Sequence, residues 1–172
     1  MTMVDADILA AGLDETQRSP SDVGRVDLVV RRPAEGQREV LDEGFLNGDE
    51  GLVGDYWSGT DPATQVTLMN ARVIALIAQA RERWPLAGDQ LYVDFDLSVA
   101  NLPPGTLVEV GSAVLEVSEE PHTGCATFNS HFGPDATRFV NSPAGRAFRL
   151  RGMNARVVKP GAVRPGDGVR KV

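Results

Sequence analysis

The sequence predicts a mainly β protein: a barrel of short strands with one main helix at about 71–84 and a few short helical turns. Three observations carry this prediction. Apolar runs with strand-like alternation are short and numerous, and glycine and proline (18 and 11 of 172 residues) punctuate them throughout. Only one stretch holds helical spacing over several turns. Neither Gly-x-Gly-x-x-Gly nor Gly-x-x-x-x-Gly-Lys-Ser/Thr occurs, so the phosphate loops that mark doubly wound α/β sheets are missing.

The elements follow in order. Residues 1–22 read as a loosely attached lead. Within it, Asp7 to Gln17 forms a short helix with Ile8, Leu9 and Leu13 on one side, broken by Ser19-Pro20-Ser21-Asp22. Residues 23–172 read as a single barrel domain. Val23 to Arg31 is a strand, with Val26, Leu28 and Val30 alternating against Arg25, Asp27 and Val29, and Pro33 closes it. Five glycines between 44 and 61 predict a largely looped segment. Gln65 to Met69 is a short strand, and Asn70 caps the helix Ala71 to Trp84, on which Val73, Leu76, Ile77, Ala80 and Trp84 repeat at helical spacing. Pro85 and Gly88 end that helix. Leu91 to Leu97 alternates as a strand, and Leu107 to Val110 with Ala113 to Val117 forms a hairpin about Gly111-Ser112. Gly133-Pro134 starts helical turns over Asp135 to Val140. Phe148 to Val158 is strand-like, with Gly152 marking a bulge or a close backbone approach. A last short strand spans Val163 to Val169 around Pro165-Gly166.

Composition limits the function classes. Hydrophobic residues at 42% and charged residues at 24% are ordinary for a globular domain. No apolar run approaches the ~20 residues of a membrane span. The N-terminus carries Asp5 and Asp7 where a signal peptide would be basic, so with a single cysteine the expected location is the cytoplasm. The net charge is −7, and the basic residues form no run, which argues against general nucleic-acid binding. Fifteen of the 17 basic residues are arginines, a side chain suited to gripping one small anion through its planar fork.

Chemistry concentrates in one segment. Cys125 is the sole cysteine and therefore forms no internal disulfide, leaving inert packing, nucleophile, or soft-metal ligand as its roles. Pro121 and Gly124 place it in a turn after a strand, a common position for functional residues. His122, three residues upstream, can lower the thiol pKa or serve as its base. His131 is the only other histidine; its bland reading is a polar loop residue, and a zinc site lacks the paired ligands such sites normally show. Gly51 to Trp57 offers backbone N–H groups to an anion, although Asp49, Glu50 and Asp55 oppose one. Arg149, Arg151, Asn154 and Arg156 make a basic, amide-rich strand whose plain reading is a solvated face.

Several blocks, taken in order, resemble the MOSC family, named for the C-terminal domain of molybdenum-cofactor sulfurases. They are Gly51-Leu-Val-Gly-Asp55, Gln65-Val-Thr-Leu-Met69, Gly88-Asp-Gln-Leu91, Gly111 to Val117 leading to Cys125, Arg151-Gly-Met-Asn-Ala-Arg-Val157, and Val163-Arg-Pro-Gly-Asp167. The similarity runs from about Val23 to Val169. It implies a β-barrel that binds molybdenum cofactor or handles its sulfur, with Cys125 as metal ligand or persulfide carrier and His122 tuning it. Arg151, Asn154, Arg156, Gly54 and Asp55 become the cofactor-binding candidates. The activity implied is reduction of N-hydroxylated compounds, with electron-donor proteins as partners, or sulfur transfer; neither nucleic acid nor membrane is an expected partner. Two alternatives remain open: a cofactor-free sulfur carrier or binding module, and a hydrolase or transferase using the His122–Cys125 pair.

Overall fold

A computed structural model describes residues 3–57 and 61–172. Residues 58–60, at the end of the glycine-rich segment, lie outside the described residues. Strand β1 (Val23–Arg31) pairs antiparallel with both β6 (Leu91–Asp94) and β11 (Gly168–Lys171). From β11 the order continues through β7 (Leu107–Val110), β8 (Ala113–Val117), β9 (Met153–Lys159) and β5 (Val66–Asn70) back to β6. The sheet thus closes on itself as a seven-strand barrel, and closure leaves its main strands without free edges. The short β2 (Glu39–Val40) extends β1 outward, and β3 (Gly44–Asn47), β4 (Gly51–Leu52) and β10 (Gly161–Val163) form a small separate sheet.

The alternation read from β1 fails at a bulge between Val26 and Leu28, which puts Val26 and Val29 on one face and Leu28 and Val30 on the other. Val26 and Val29 enter the barrel core with Leu68, Val93, Phe95, Val110, Leu115 and Val169, all almost fully buried. The opposite faces of β1, β5 and β6 supply Val30, Met69 and Tyr92 to a second core beneath the helices. Helix α1 (Ala6–Thr16), capped by Asp5, contributes Leu9 to that second core at 1% exposure. The pair β5–β6 is parallel and is joined by α2 (Ala71–Ala78), a crossover that lays the helix on the outside of the barrel.

Five elements differ from the sequence expectation. The main helix stops at Ala78, because Gln79 takes φ +65, and a 3-10 segment Arg81–Ala87 continues to Gly88. Pro85 inside that segment explains the change: its ring would clash with the carbonyl of Arg81 in an α-helix. The expected turns at 135–140 are part of a longer α3 (Ala126–Asn141) that bends at Gly133, φ +90, ahead of Pro134. The expected strand 148–158 begins only at Met153, since residues 143–147 form the short helix α4 (Pro143–Ala147), and Arg149 at φ +49 and Gly152 at φ +122 turn the chain. The segment 44–61 contains β3 and β4 where loop was expected, and the last strand 163–169 is divided between β10 and β11 by the turn at 164–167.

Candidate functional site

A buried ion cluster lies at the end of the barrel beside the helices. Asp89 precedes β6 and is fully buried. One carboxylate oxygen accepts from Arg151 Nη1 at 2.6 Å, and the other lies 2.9 Å from His122 Nε2. Arg151, 4% exposed, also donates from Nη2 to the Ala87 carbonyl at 2.7 Å, and its guanidinium stacks 4.9 Å from the Phe128 ring centroid. Its Nε is the one fully buried side-chain polar atom without a hydrogen-bond partner among the described residues. Burial alone would raise the Asp89 pKa, but Arg151 and His122 outweigh it and hold the carboxyl at about 2. Burial is the largest influence on His122 and, with the Arg151 charge, keeps its pKa below the ordinary value. The ring is therefore neutral near pH 7. With ionised Asp89 accepting from Nε2–H, the lone pair sits on Nδ1.

Gly152 explains why this geometry requires that residue. At φ +122 its backbone passes so close to β5 that a Cβ would stand 2.5 Å from the Leu68 carbonyl oxygen and 3.1 Å from the His122 ring. The glycine read from sequence as a bulge or close approach is a close approach.

Cys125 occupies the N-cap of α3 and is exposed. Its sulfur makes no side-chain cap hydrogen bond. Partial burial pushes the thiol pKa up. The dipoles of the Phe128 and Thr127 N–H groups and the Arg151 charge push it down further, and the net result lies below the ordinary thiol value. The preceding Gly124 is held at both backbone ends: its N–H donates to Asn141 Oδ1 at 2.8 Å, and Asn141 Nδ2 donates to its carbonyl at 3.0 Å. The bent far end of α3 thereby secures the turn that presents the thiol.

A cavity of about 180 Å³ adjoins this turn, with His122, Thr123, Asn154 and Arg149 in its wall. Asn154 is buried and donates to the Glu120 carbonyl at 3.1 Å, fixing the strand-to-turn segment. A shallower groove of about 460 Å³ shares Ser118, Glu119 and Glu120 with the cavity and reaches Arg156. Arg156 is exposed and paired with Glu116 at 2.9 Å.

The remaining candidates lie apart from the cavity. Asp55 is inaccessible, clamped by Arg32 through contacts of 3.0 and 2.7 Å, and it also accepts from the backbone of Arg32 and Trp57 and from Gln90 Nε2. Gly54 takes φ +85 to make that turn, and a Cβ there would meet Arg31 at 2.9 Å. Arg32 also donates to the Gly88 carbonyl at 3.0 Å, so the Gly54-Asp55 turn buttresses residues 88–90 from below the ion cluster. His131 is used through its backbone, accepting from Arg83 at 2.8 Å. Among the described residues no group of three or more His, Cys, Asp and Glu side chains could hold a metal ion.

His122 and Arg151 therefore meet on Asp89, the Arg151 charge reaches the Cys125 thiol, Asn154 shares the cavity wall with His122, Arg156 stands in the adjoining groove, and Gly54 and Asp55 support from behind. Sequence reasoning gave Asp89 and Asn141 no role and left Arg149 on a strand read as a solvated face. Asp89 carried one signal, a charge just before the strongly apolar β6; Asn141 carried none, because its partner lies 17 residues away.

A sequence model of the MOSC domain matches residues 60–170, well over half of the chain. Comparison with curated protein sequences gives no match. Among solved structures, the chain is similar to the YuaD protein from Bacillus subtilis, with TM-score 0.63 and 17% identity over 86% of this chain and 94% of that one. It is also similar to YiiM from Escherichia coli, with TM-score 0.58 and 21% identity over 86% and 69%. YiiM from Geobacillus stearothermophilus gives 0.54 and 15% over 87% and 73%. At these identities the likeness speaks for the fold. The closed seven-strand barrel and the matched family model together make this chain a member of the MOSC domain family.

Proposed function

We propose that the chain binds molybdenum cofactor, with the Cys125 thiolate as the soft ligand to the metal or as a carrier of persulfide sulfur. The observation that supports this most is the exposed thiol at the head of α3, with its pKa held below the ordinary range. A thiolate suits a metal–dithiolene centre, and an accessible thiolate can equally hold a persulfide. The donor set fits the group: one soft sulfur in the open, and three residues before it a neutral imidazole that lines a small cavity. Once bound, the cofactor would supply two-electron redox chemistry.

The chain's own residues do the rest. Cys125 anchors the load, and the Asn141 clamp on Gly124 keeps it presented. His122, with Nδ1 unprotonated, takes or returns a proton in the cavity. Asn154 shapes the cavity wall, Arg156 borders the outer groove, and Gly54 with Asp55 keeps Arg32 beneath residues 88–90. Arg151 acts through its positive field on the thiol, since both of its Nη groups are engaged. The reaction that this reading favours is reduction of N-hydroxylated compounds, with electrons delivered by partner proteins.

Molybdenum and pterin content, measured on protein from a cofactor-competent host, tests the reading. Wild type should carry both, and Cys125→Ala should lose the metal. A wild-type preparation that is metal-free and cannot be reconstituted would overturn it. The same exposed thiol supports a second reading, a cofactor-free sulfur carrier, for which mass spectrometry would find persulfide on Cys125 and no metal.

A further inference from the structure

We propose that Arg149 makes the inner cavity an oxyanion site, taking a phosphate monoester or carboxylate group of the bound ligand. Arg149 lies in the turn between α4 and β9 at φ +49, a conformation that costs a side-chain-bearing residue of order 1 kcal/mol or more and is concentrated at functional sites. Its Nη1 donates to the Leu97 and Leu102 carbonyls at 3.1 and 2.7 Å, which fixes the guanidinium against the cavity wall. Nη1 has only two hydrogens and both are used, so Nε and Nη2 keep the forked edge for a ligand.

The charge balance points the same way. Arg32, Arg72 and Arg151 each face a carboxylate, whereas no carboxylate among the described residues pairs with Arg149. Burial, unopposed by any anion, depresses its pKa. Glu119 and Glu120 also line the cavity, but both are exposed, where water screens them; the half-buried Arg149 feels less screening. Arg146 lines the same mouth and adds positive charge in the open. A volume of about 180 Å³ admits a charged head group and excludes a drug-sized molecule, whose pockets begin near ~300 Å³.

This inference rests on reading the cavity as part of the ligand site, and it separates from the molybdenum question experimentally. Metal-free protein is titrated with inorganic phosphate by calorimetry and by phosphorus NMR linewidth. Wild type should bind with a Kd on the order of 1 mM. Arg149→Gln should weaken binding at least about tenfold, the loss expected for one forked charge-assisted contact. Arg149→Lys, which keeps charge without the fork, should fall between, and it serves if the glutamine variant folds poorly. Arg146→Gln should change binding less than about threefold, as expected of a screened surface charge. Equal phosphate binding by wild type and both Arg149 variants, or no binding by wild type, overturns the proposal. A repeat on cofactor-loaded protein identifies the source of the anion. Phosphate excluded there means that the cofactor's own phosphate fills the site, and phosphate still bound means that a separate anionic substrate does. Metal-free protein that binds phosphate but never accepts molybdenum would sink the cofactor reading alone.

Discussion

Asp89 shows how much one buried carboxylate can govern. Its two oxygens serve Arg151 and His122, so removing it strands a guanidinium at 4% exposure and frees the imidazole. Asp89→Asn should lower unfolding stability by about 3–5 kcal/mol in denaturant melts, the usual cost of a broken buried pair. A loss below about 1 kcal/mol would mean that the cluster is solvated. The pH dependence has a definite sign. The folded Asp89 pKa is about 2 against an ordinary 3.8, so the pair's contribution, about 2 kcal/mol, is complete above pH 4 and is lost as pH falls through 2. His122 is depressed as well, so the unfolded chain takes up its proton first and stability starts to decline below about pH 6.5. Wild-type melts between pH 7 and 2 should fall in these two stages, and Asp89→Asn should lack the lower one. At Cys125 the alkylation rate should show its pH inflection below the ordinary thiol value of 9.0. An inflection at or above that value would remove the case for an activated thiolate.

Elements were legible in the sequence to the degree that local rules decide them. β7, β8 and the Asn70 cap follow from alternation, a Gly-Ser turn and an amide that accepts from Arg72 and Val73 N–H, whereas β1 was legible as a strand but its bulge, which moves Val29 into the barrel core, was not. The breaks at Gln79 and Gly133 depend on what proline forbids nearby, and β3 pairs with β4 on one side and, on the other, with β10 more than a hundred residues later. The site divided in the same way. His122 and Cys125 are close in sequence and were found together, whereas Asp89, Arg149 and Asn141 reach it from separate elements. Arg151 was read on a solvated strand and is buried, because the chain has not yet entered β9 at that point. Asn70→Ala should cost about 1–3 kcal/mol, since its amide also donates to Ser19 Oγ and the Phe95 carbonyl in a buried setting. Asn70→Asp should recover only part, keeping the acceptor and losing those donors. Gly152→Ala should shift the His122 ring signals in NMR as well as destabilise the fold, because its Cβ would meet both Leu68 and the imidazole. Unmoved His122 signals would refute the role of that close approach.

At the scale of the whole molecule, the barrel is closed by its last strand. β11 pairs with β1 on one side and β7 on the other, so deleting residues 168–172 exposes two strand edges at once. The truncated chain should lose its single cooperative melt and gain aggregation, visible in light scattering; a monomer that melts as before would show closure to be dispensable. The Asn141 clamp has a different kind of consequence. It spans the turn from the back of α3 and binds only backbone, so the turn under the thiol is held without help from any ligand. On the proposed role of Cys125, capturing a metal or a sulfur atom would then order nothing new, and the chain would give no conformational signal of its load. Proteases and binding partners that sense shape would treat the charged and uncharged forms alike. Any component that must tell them apart has to touch the sulfur itself.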